Sequence, residues 1–422
     1  MRKTLFLMLL ALVLPFALFA QKAEVEYITV RGKITTQGTK EAVPYAMVYT
    51  TDRSAYTTAN ADGEYVLKLP KSQCDGSLVF AQTGYHRDTL AVAKLLKKGN
   101  VALVQGDIKL NEVQVTAYKT PKALMKEVIS RIPQNYTTDT TIVTGFFRTV
   151  RTANDELYLF AEYVADIMRP GYGKNPKRKV GIHLTNLSSV QKMRLMYYDT
   201  LLLGRMAHSE VSTTLMAGYD NEEFTDRVEM FKTYLKVTNS DTLSEFTDAD
   251  GRSYYLISSG RSKYTIDQQS LAITRIEFSS PLSPTISLPL WILPGGKEVT
   301  PLRKFQTSMK AIYNYDRVGD RYTLVSFVEE ETRVYHNETS GRWEGVMPTI
   351  TTKSHRIFQL TGLQHSTATF SPTITNRYYA VTYSEVPVAT TDYNEDYWEQ
   401  FNFIPVEQSL LDKLNAKLKN KR

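Results

Sequence analysis

Six histidines are the natural starting point for chemistry in this chain of 422 residues: His86, His183, His208, His336, His355 and His365. A helical zinc hydrolase sets two histidines four residues apart around a glutamate, so that both imidazoles share one face. Neither His-x-His nor His-Glu-x-x-His occurs here. His208-Ser209-Glu210 gathers the residue types of a nucleophilic triad, but a triad is assembled in space, and no Gly-x-Ser-x-Gly elbow is present. Asp248-Ala249-Asp250-Gly251 opens like a calcium loop, yet its glycine comes early and the later glutamate is missing, so a polar hairpin turn is expected. Gly171-Tyr172-Gly173 and Gly295-Gly296-Lys297 lack the flanks of a phosphate loop. The carboxylates at Glu222-Glu223 and Glu329-Glu330-Glu331 read as solvated charge. A single cysteine, Cys74, excludes an intramolecular disulfide framework and any Cys-rich metal site. On this reading there is no catalytic residue, no metal ligand set and no cofactor.

Two segments have the composition of contact surfaces. Lys174-Asn175-Pro176-Lys177-Arg178-Lys179 can meet anionic lipid head groups or stand as a solvated loop. Pro281 to Gly296 carries no charge, and its prolines exclude a regular helix or a central strand, so a long loop is expected. Its apolar residues Leu288, Leu290, Trp291, Ile292 and Leu293 are the candidate apolar contact. Either this loop folds over an open end of the β structure, or it presents these groups to lipid, a lipidated ligand or a protein.

The elements that position these residues are mainly β. Aromatics make up 11% of the chain, led by 27 tyrosines, and such side chains pack well on pleated faces. With 42% hydrophobic and 23% charged residues, the chain is neither a disordered tail nor a multi-span helical membrane protein. Residues 1–20 begin with Arg2 and Lys3, run apolar from Leu5 to Phe19 with Pro15 inside, and end on the small Ala20. That order is expected of a secretory signal peptide, and it places the protein in the periplasm or on the periplasmic face of the outer membrane. Removing it leaves 51 − 2 = 49 basic against 44 acidic residues, a net +5. Such a mild excess is no nucleic-acid footprint. Sequons occur at Asn135, Asn186 and Asn337.

From residue 24 to 105 short β-type runs alternate with turn residues, as in a small antiparallel sandwich. Val30–Ile34, Pro44–Tyr49, Ala55–Ala59 and Glu64–Leu69 are its first strands, with Asp62-Gly63 supplying the turn before the fourth. Gly32, Pro44-Tyr45-Ala46-Met47-Val48, Thr57-Thr58, Asp62-Gly63-Glu64-Tyr65 and Gly84-Tyr85 together resemble the carboxypeptidase-regulatory-like domain, a transthyretin-like sandwich. The resemblance implies an accessory module without catalytic residues.

Residues 106–134 form a junction. Ile108–Ala117 resembles the segment that follows this sandwich in TonB-dependent receptors and related envelope proteins. It reads either as the sandwich's own last strand running into a linker or as a strand that pairs with a partner's sheet edge. A helix follows, capped by Thr120, started by Pro121 and ended by Pro133, with Leu124, Met125, Val128, Ile129 and Ile132 as an apolar stripe that docks the two domains.

Residues 135–404 read as a β-rich domain, half-barrel or barrel-like, and 405–422 as an amphipathic helix with basic residues toward its end. Hairpins are expected around Asp316–Asp320 and through Gln268-Gln269; the second resembles a meander of periplasmic lipoprotein-carrier half-barrels. Phe146-Phe147-Arg148, Trp398 and Asn402 resemble uncharacterised Gram-negative envelope proteins that carry the same sandwich.

The expected function is a non-enzymatic exported envelope protein with a binding or scaffold domain, its partner an envelope protein or lipid. The alternatives are an outer-membrane barrel or TonB-receptor-related transport component, a periplasmic half-barrel carrier of an apolar ligand, and a secreted hydrolase. The basic C-terminal helix and the charge-rich residues 219–229 speak against the barrel, and the missing motifs against the hydrolase. Nothing in the residues sets an oligomeric state.

Overall fold

The computed structural model describes residues 25–106, 109–111, 118–139, 141–169, 172, 187–198, 237–288, 303–336, 349–364 and 393–419. Its first part holds strands β1 (Tyr27–Thr36), β2 (Met47–Thr50), β3 (Tyr56–Thr58), β4 (Glu64–Pro70), β5 (Ser77–Ala81), β6 (Asp88–Ala91) and β7 (Val101–Leu103), with a short helix α1 (Val92–Lys97) before the last. They form a sheet in the order β4-β1-β7 facing a sheet in the order β3-β2-β5-β6. Val30, Ile34, Val48, Leu67, Leu78 and Phe80 meet between them as the sandwich core. The pairing is antiparallel throughout except at one edge, where Ile34–Thr36 of β1 run parallel to Val101–Leu103 of β7. Helix α1 carries the chain back across, which a hairpin would not do. At the expected turn Asn60 accepts from the Asp62 and Glu64 amides through Oδ1 at 3.0 and 2.8 Å. Gly63 takes a φ of +78°, and a Cβ there would sit 2.5 Å from the Ile34 carbonyl oxygen.

The second part is one large sheet. It comprises β8 (Lys109–Asn111), β9 (Thr141–Ala153), β10 (Glu156–Arg169), β11 (Leu187–Tyr198), β12 (Thr242–Thr247), β13 (Ser253–Ser259), β14 (Ser262–Asp267), β15 (Ile273–Ser280), β16 (Ile286–Leu288), β17 (Arg303–Val318), β18 (Arg321–His336) and β19 (Thr349–Gln364). Among the described residues the strand order is β11-β10-β9-β19-β18-β17-β15-β14-β13-β12-β8, with β16 beside β17, and the sheet is not closed. Both expected hairpins are present, as β17–β18 and β14–β15.

Three expectations are corrected. The described part of the junction strand is not the sandwich's last strand: Lys109–Asn111 pair antiparallel with Glu245–Thr247 as the outermost strand of the large sheet, and the rest of Ile108–Ala117 lies outside the described residues. Pro281–Gly296 is not loop throughout, since Ile286–Leu288 pair with Arg303–Phe305. Pro284 and Pro289 flank this stretch, leaving four residues with amides between them, of which three join the sheet from the side. Pro133 does not end the junction helix either. Helix α2 (Pro121–Ser130) stops before it, and Pro133 lies in the first turn of a separate α3 (Ile132–Asn135), where its missing N–H costs nothing. Thr120 caps α2 as expected, accepting from the Ala123 amide through Oγ1 at 3.1 Å.

The apolar stripe of the junction joins the two parts. Leu124, Met125, Val128 and Ile132 lie in one buried cluster with Tyr49, Tyr56 and Ala81 of the sandwich and with Phe147, Tyr163, Tyr313 and Phe358 of the sheet. The C-terminal helix, α4 (Gln408–Lys419), begins three residues after Pro405 and buries Leu414 and Leu418 against Val150, Leu157 and Phe160.

Candidate functional site

Of the candidate apolar contact, Leu288 ends β16, and Leu290, Trp291, Ile292 and Leu293 lie outside the described residues. So do Lys174–Lys179, His183, His208, His365, and the sequons at Asn186 and Asn337. Asp248–Gly251 is a hairpin turn, with Asp248 Oδ1 accepting from the Asp250 and Arg252 amides at 3.0 and 2.9 Å. His86 and Arg87 meet that turn from the sandwich, both on the Asp250 carboxylate, at 3.6 and 3.5 Å. Among the described residues no three metal-ligating side chains stand together, and no helix is long and apolar enough to cross a membrane.

The concentration of buried charge lies elsewhere, in the three strands at one end of the large sheet, β11, β10 and β9. Arg148 of β9 stands directly opposite Glu162 of β10, which stands directly opposite Arg194 of β11. Strand alternation places all three on one face, since residues paired across a ladder share a side. They are 1%, 0% and 4% exposed, so their charges must neutralise one another. Glu162 does this through both oxygens. Arg148 Nε reaches Oε1 at 2.8 Å, and Arg194 Nε reaches Oε2 at 2.8 Å. Each guanidinium is also flanked by rings: Phe146 and Phe160 by Arg148, and Tyr393, Tyr397 and Trp398 by Arg194. Flat, weakly hydrated guanidinium suits such aromatic surroundings better than an ammonium would.

The remaining donors of this row grip the backbone of the C-terminal segment. Arg148 donates to the carbonyls of Ile404 and Pro405, the second at 3.1 Å, and Arg194 donates to the carbonyl of Asn394 at 2.6 Å. Carbonyls in an irregular segment have no partner of their own, so the fixed guanidinium fork supplies one. Residues 393–407 are thereby laid across β9, β10 and β11. Trp398, Phe403 and Ile404 fill the space above Phe146, Val164 and Ile357.

The same segment is pinned on its other side to the sandwich. Val66 of β4 belongs to the Trp398–Phe403 cluster, so β4 is buried on both faces. Asn402 pairs with the backbone of Lys68, and Thr57 donates to the Phe403 carbonyl at 3.4 Å. Lys68 itself donates to the Glu399 carbonyl and lies over the Phe403 ring; burial pushes its ammonium down to about 8. Gln408 donates its amide to Asp62 at 2.8 Å at the start of α4. Further bonds reach directly from sandwich to sheet, among them Thr58 to Gln359 and Arg53 to Asp316, the latter at 2.7 Å.

This arrangement holds a peptide segment, and in this molecule the segment is its own C-terminal one, a 3-10 turn at Glu395–Trp398 followed by an irregular stretch to Glu407. Glu162, held between two guanidiniums, accepts hydrogen bonds and neutralises charge. Sequence reasoning missed the row, although a signal for it exists. Arg148 lies between Phe146 and Val150, and Glu162 between Phe160 and Val164, each a lone charge two residues from apolar neighbours on both sides. In a strand that pattern puts a charge in the middle of an apolar face.

Residues 30–115 match the family model of the CarboxypepD_reg-like domain. That range spans β1 to the junction strand and agrees with the resemblance drawn from Gly32, Asp62-Gly63 and Gly84-Tyr85. No curated protein matches the chain.

Proposed function

We propose that this is an exported cell-envelope protein without catalytic activity, in which the regulatory-like sandwich and the large sheet work as one fixed platform for binding or scaffolding. The observation that carries this reading is the joint. The C-terminal segment is held by Arg148 and Arg194 on one side and by Lys68 on the other, so the sandwich is fastened to the sheet instead of hanging from a linker. Interfaces between domains that move past one another are more polar and less interlocked than this. Two further facts support the non-catalytic part. The matched family is a regulatory-like module, and the buried charges of the joint are engaged in holding backbone. The leader-like residues 1–20 support export.

Fractionation of expressing cells with mass spectrometry of the N-terminus tests the proposal. The expected result is a chain beginning near Gln21 in the envelope fraction, inert to serine- and histidine-directed covalent reagents. A chain retaining Met1 in the envelope contradicts cleavage at Ala20, and a cytosolic chain contradicts export. Saturable labelling of one serine or histidine contradicts the absence of catalysis.

A further inference from the structure

His355 is half-buried beside the joint, with one ring nitrogen in surroundings that suit a neutral imidazole better than a charged one. It belongs to β19, directly opposite Val150 of β9 and Glu330 of β18, on the face that carries Arg148 and the C-terminal segment. Its Nε2 is sealed from solvent and makes no hydrogen bond among the described residues. A neutral ring nitrogen can bear that situation at modest cost, whereas an added proton creates a buried N–H donor and a buried charge together.

The groups facing the ring decide whether a proton would be compensated. Glu407 and Glu330 attract it, and Arg148 repels it. Glu330 is exposed, so solvent weakens its pull. Glu407 is buried, but its contacts are long: 3.8 Å to Arg148 and 3.5 Å from the Ala61 amide. It is also the residue from which α4 starts, its carbonyl accepting from the Leu410 and Leu411 amides at 3.0 and 2.9 Å. One weakly held carboxylate therefore connects the sandwich turn, the Arg148 row and the C-terminal helix, and it acts on an imidazole whose Nε2 has no hydrogen bond among the described residues.

We infer that His355 is an acid-sensitive release for the joint: protonation below neutral pH favours a state in which the sealed Nε2 also reaches water, one in which the C-terminal segment and sandwich have lifted from this face of the sheet. The direction follows from linkage. Burial, the largest influence, holds the imidazole below its ordinary value near 6.5. An opened or unfolded chain therefore binds the proton more readily than the closed joint, and the closed state loses stability as pH falls below about 6.5. Above that value its stability is complete. The inference concerns the joint alone and holds wherever the protein resides.

Hydrogen exchange with mass spectrometry on the full chain at pH 7.5 and pH 5.5, corrected for intrinsic exchange rates, tests it. At pH 5.5 the amide of Lys68 and those of residues 402–404 and 406–407 are expected to exchange at least about tenfold faster than at pH 7.5, a population shift of the ordinary size for such a switch. Val30–Ile34 and Phe146–Val150 stay protected. In His355→Gln the amides of the joint exchange alike at both pH values. If that variant folds poorly, His355→Phe serves, because it fills the space without titrating. Equal exchange of the wild type at both pH values overturns the inference. The same acid loss in the His355 variants also overturns it and assigns the effect to the carboxylates.

Discussion

The side chain of Asn402 pairs with the backbone of Lys68 as a neighbouring strand would. Its Oδ1 accepts from the Lys68 amide at 2.6 Å, and its Nδ2 donates to the Lys68 carbonyl at 3.2 Å. One carboxamide offers a donor and an acceptor in the same plane, which is what the edge of β4 requires at that point. An open edge is also where foreign strands attach, and this one is covered by the protein's own C-terminal segment.

Replacing Asn402 by Leu keeps the bulk and removes both bonds. A buried amide and carbonyl are then left without partners, at a cost of about 1–3 kcal/mol. Urea denaturation should report that loss, and the Lys68 amide should lose exchange protection well before the amides of β9. Unchanged stability would mean that water replaces Asn402 without penalty.

Glu162→Gln preserves shape but leaves Arg148 and Arg194 facing one another without the charge between them. Breaking a buried ion pair on one side costs about 3–5 kcal/mol, far more than the loss of an exposed pair. Chemical denaturation measures it. Lys353→Gln, which removes an exposed partner of Asp155, is the control and should change stability by less than about 1 kcal/mol. Similar losses in both variants would contradict a buried, mutually dependent row.

The legible parts of this fold were those governed by local chemistry. Asp62-Gly63 specified a turn, Thr120 and Pro121 a helix start, and Asp316–Asp320 the bend of a hairpin. The joint was not legible, because its partners are separated by hundreds of positions: Arg148 from Pro405, Lys68 from Asn402 and Thr58 from Gln359. No local pattern encodes such pairings. The short β16 was hidden by its prolines, which forbid a central strand yet allow three residues to pair at the side. The parallel β1–β7 contact was hidden because it depends on a six-residue helix just before β7, too short to show a helical period.

Gly145 of β9 has no room for a side chain. A Cβ there would lie 2.2 Å from Cε2 of Phe358, which itself packs on Phe147 and Phe327 at ring distances of 4.9 and 5.4 Å. Gly145→Ala must therefore displace a ring at the centre of the main cluster, with an expected loss of about 1–3 kcal/mol. Thermal denaturation measures the loss, and adding Phe358→Leu should recover part of it. No loss in the single variant would show that Phe358 has another position available.

Residues 24–105 produced alone should keep the core built on Val30, Ile34, Leu67 and Phe80, because that cluster is complete within the sandwich. They would also bare Tyr49, Tyr56 and Val66, which are buried in clusters shared with the rest of the chain. The expected behaviour is cooperative unfolding at lower denaturant than in the full chain, with self-association at high concentration. Non-cooperative unfolding would show that the sandwich depends on the sheet to fold.

Native-state hydrogen exchange in rising denaturant at pH 7.5 tests the fixed platform most directly. If sandwich and sheet act as one body, the slowest amides of β1 and of β9 open together, with the same free energy and the same denaturant dependence. Removing the grip of the joint with Asn402→Leu should separate the two. The account is contradicted if, in the unaltered protein, β1 exchanges through a lower-energy opening while β9 remains protected, for then the sandwich is a tethered module and not part of a platform.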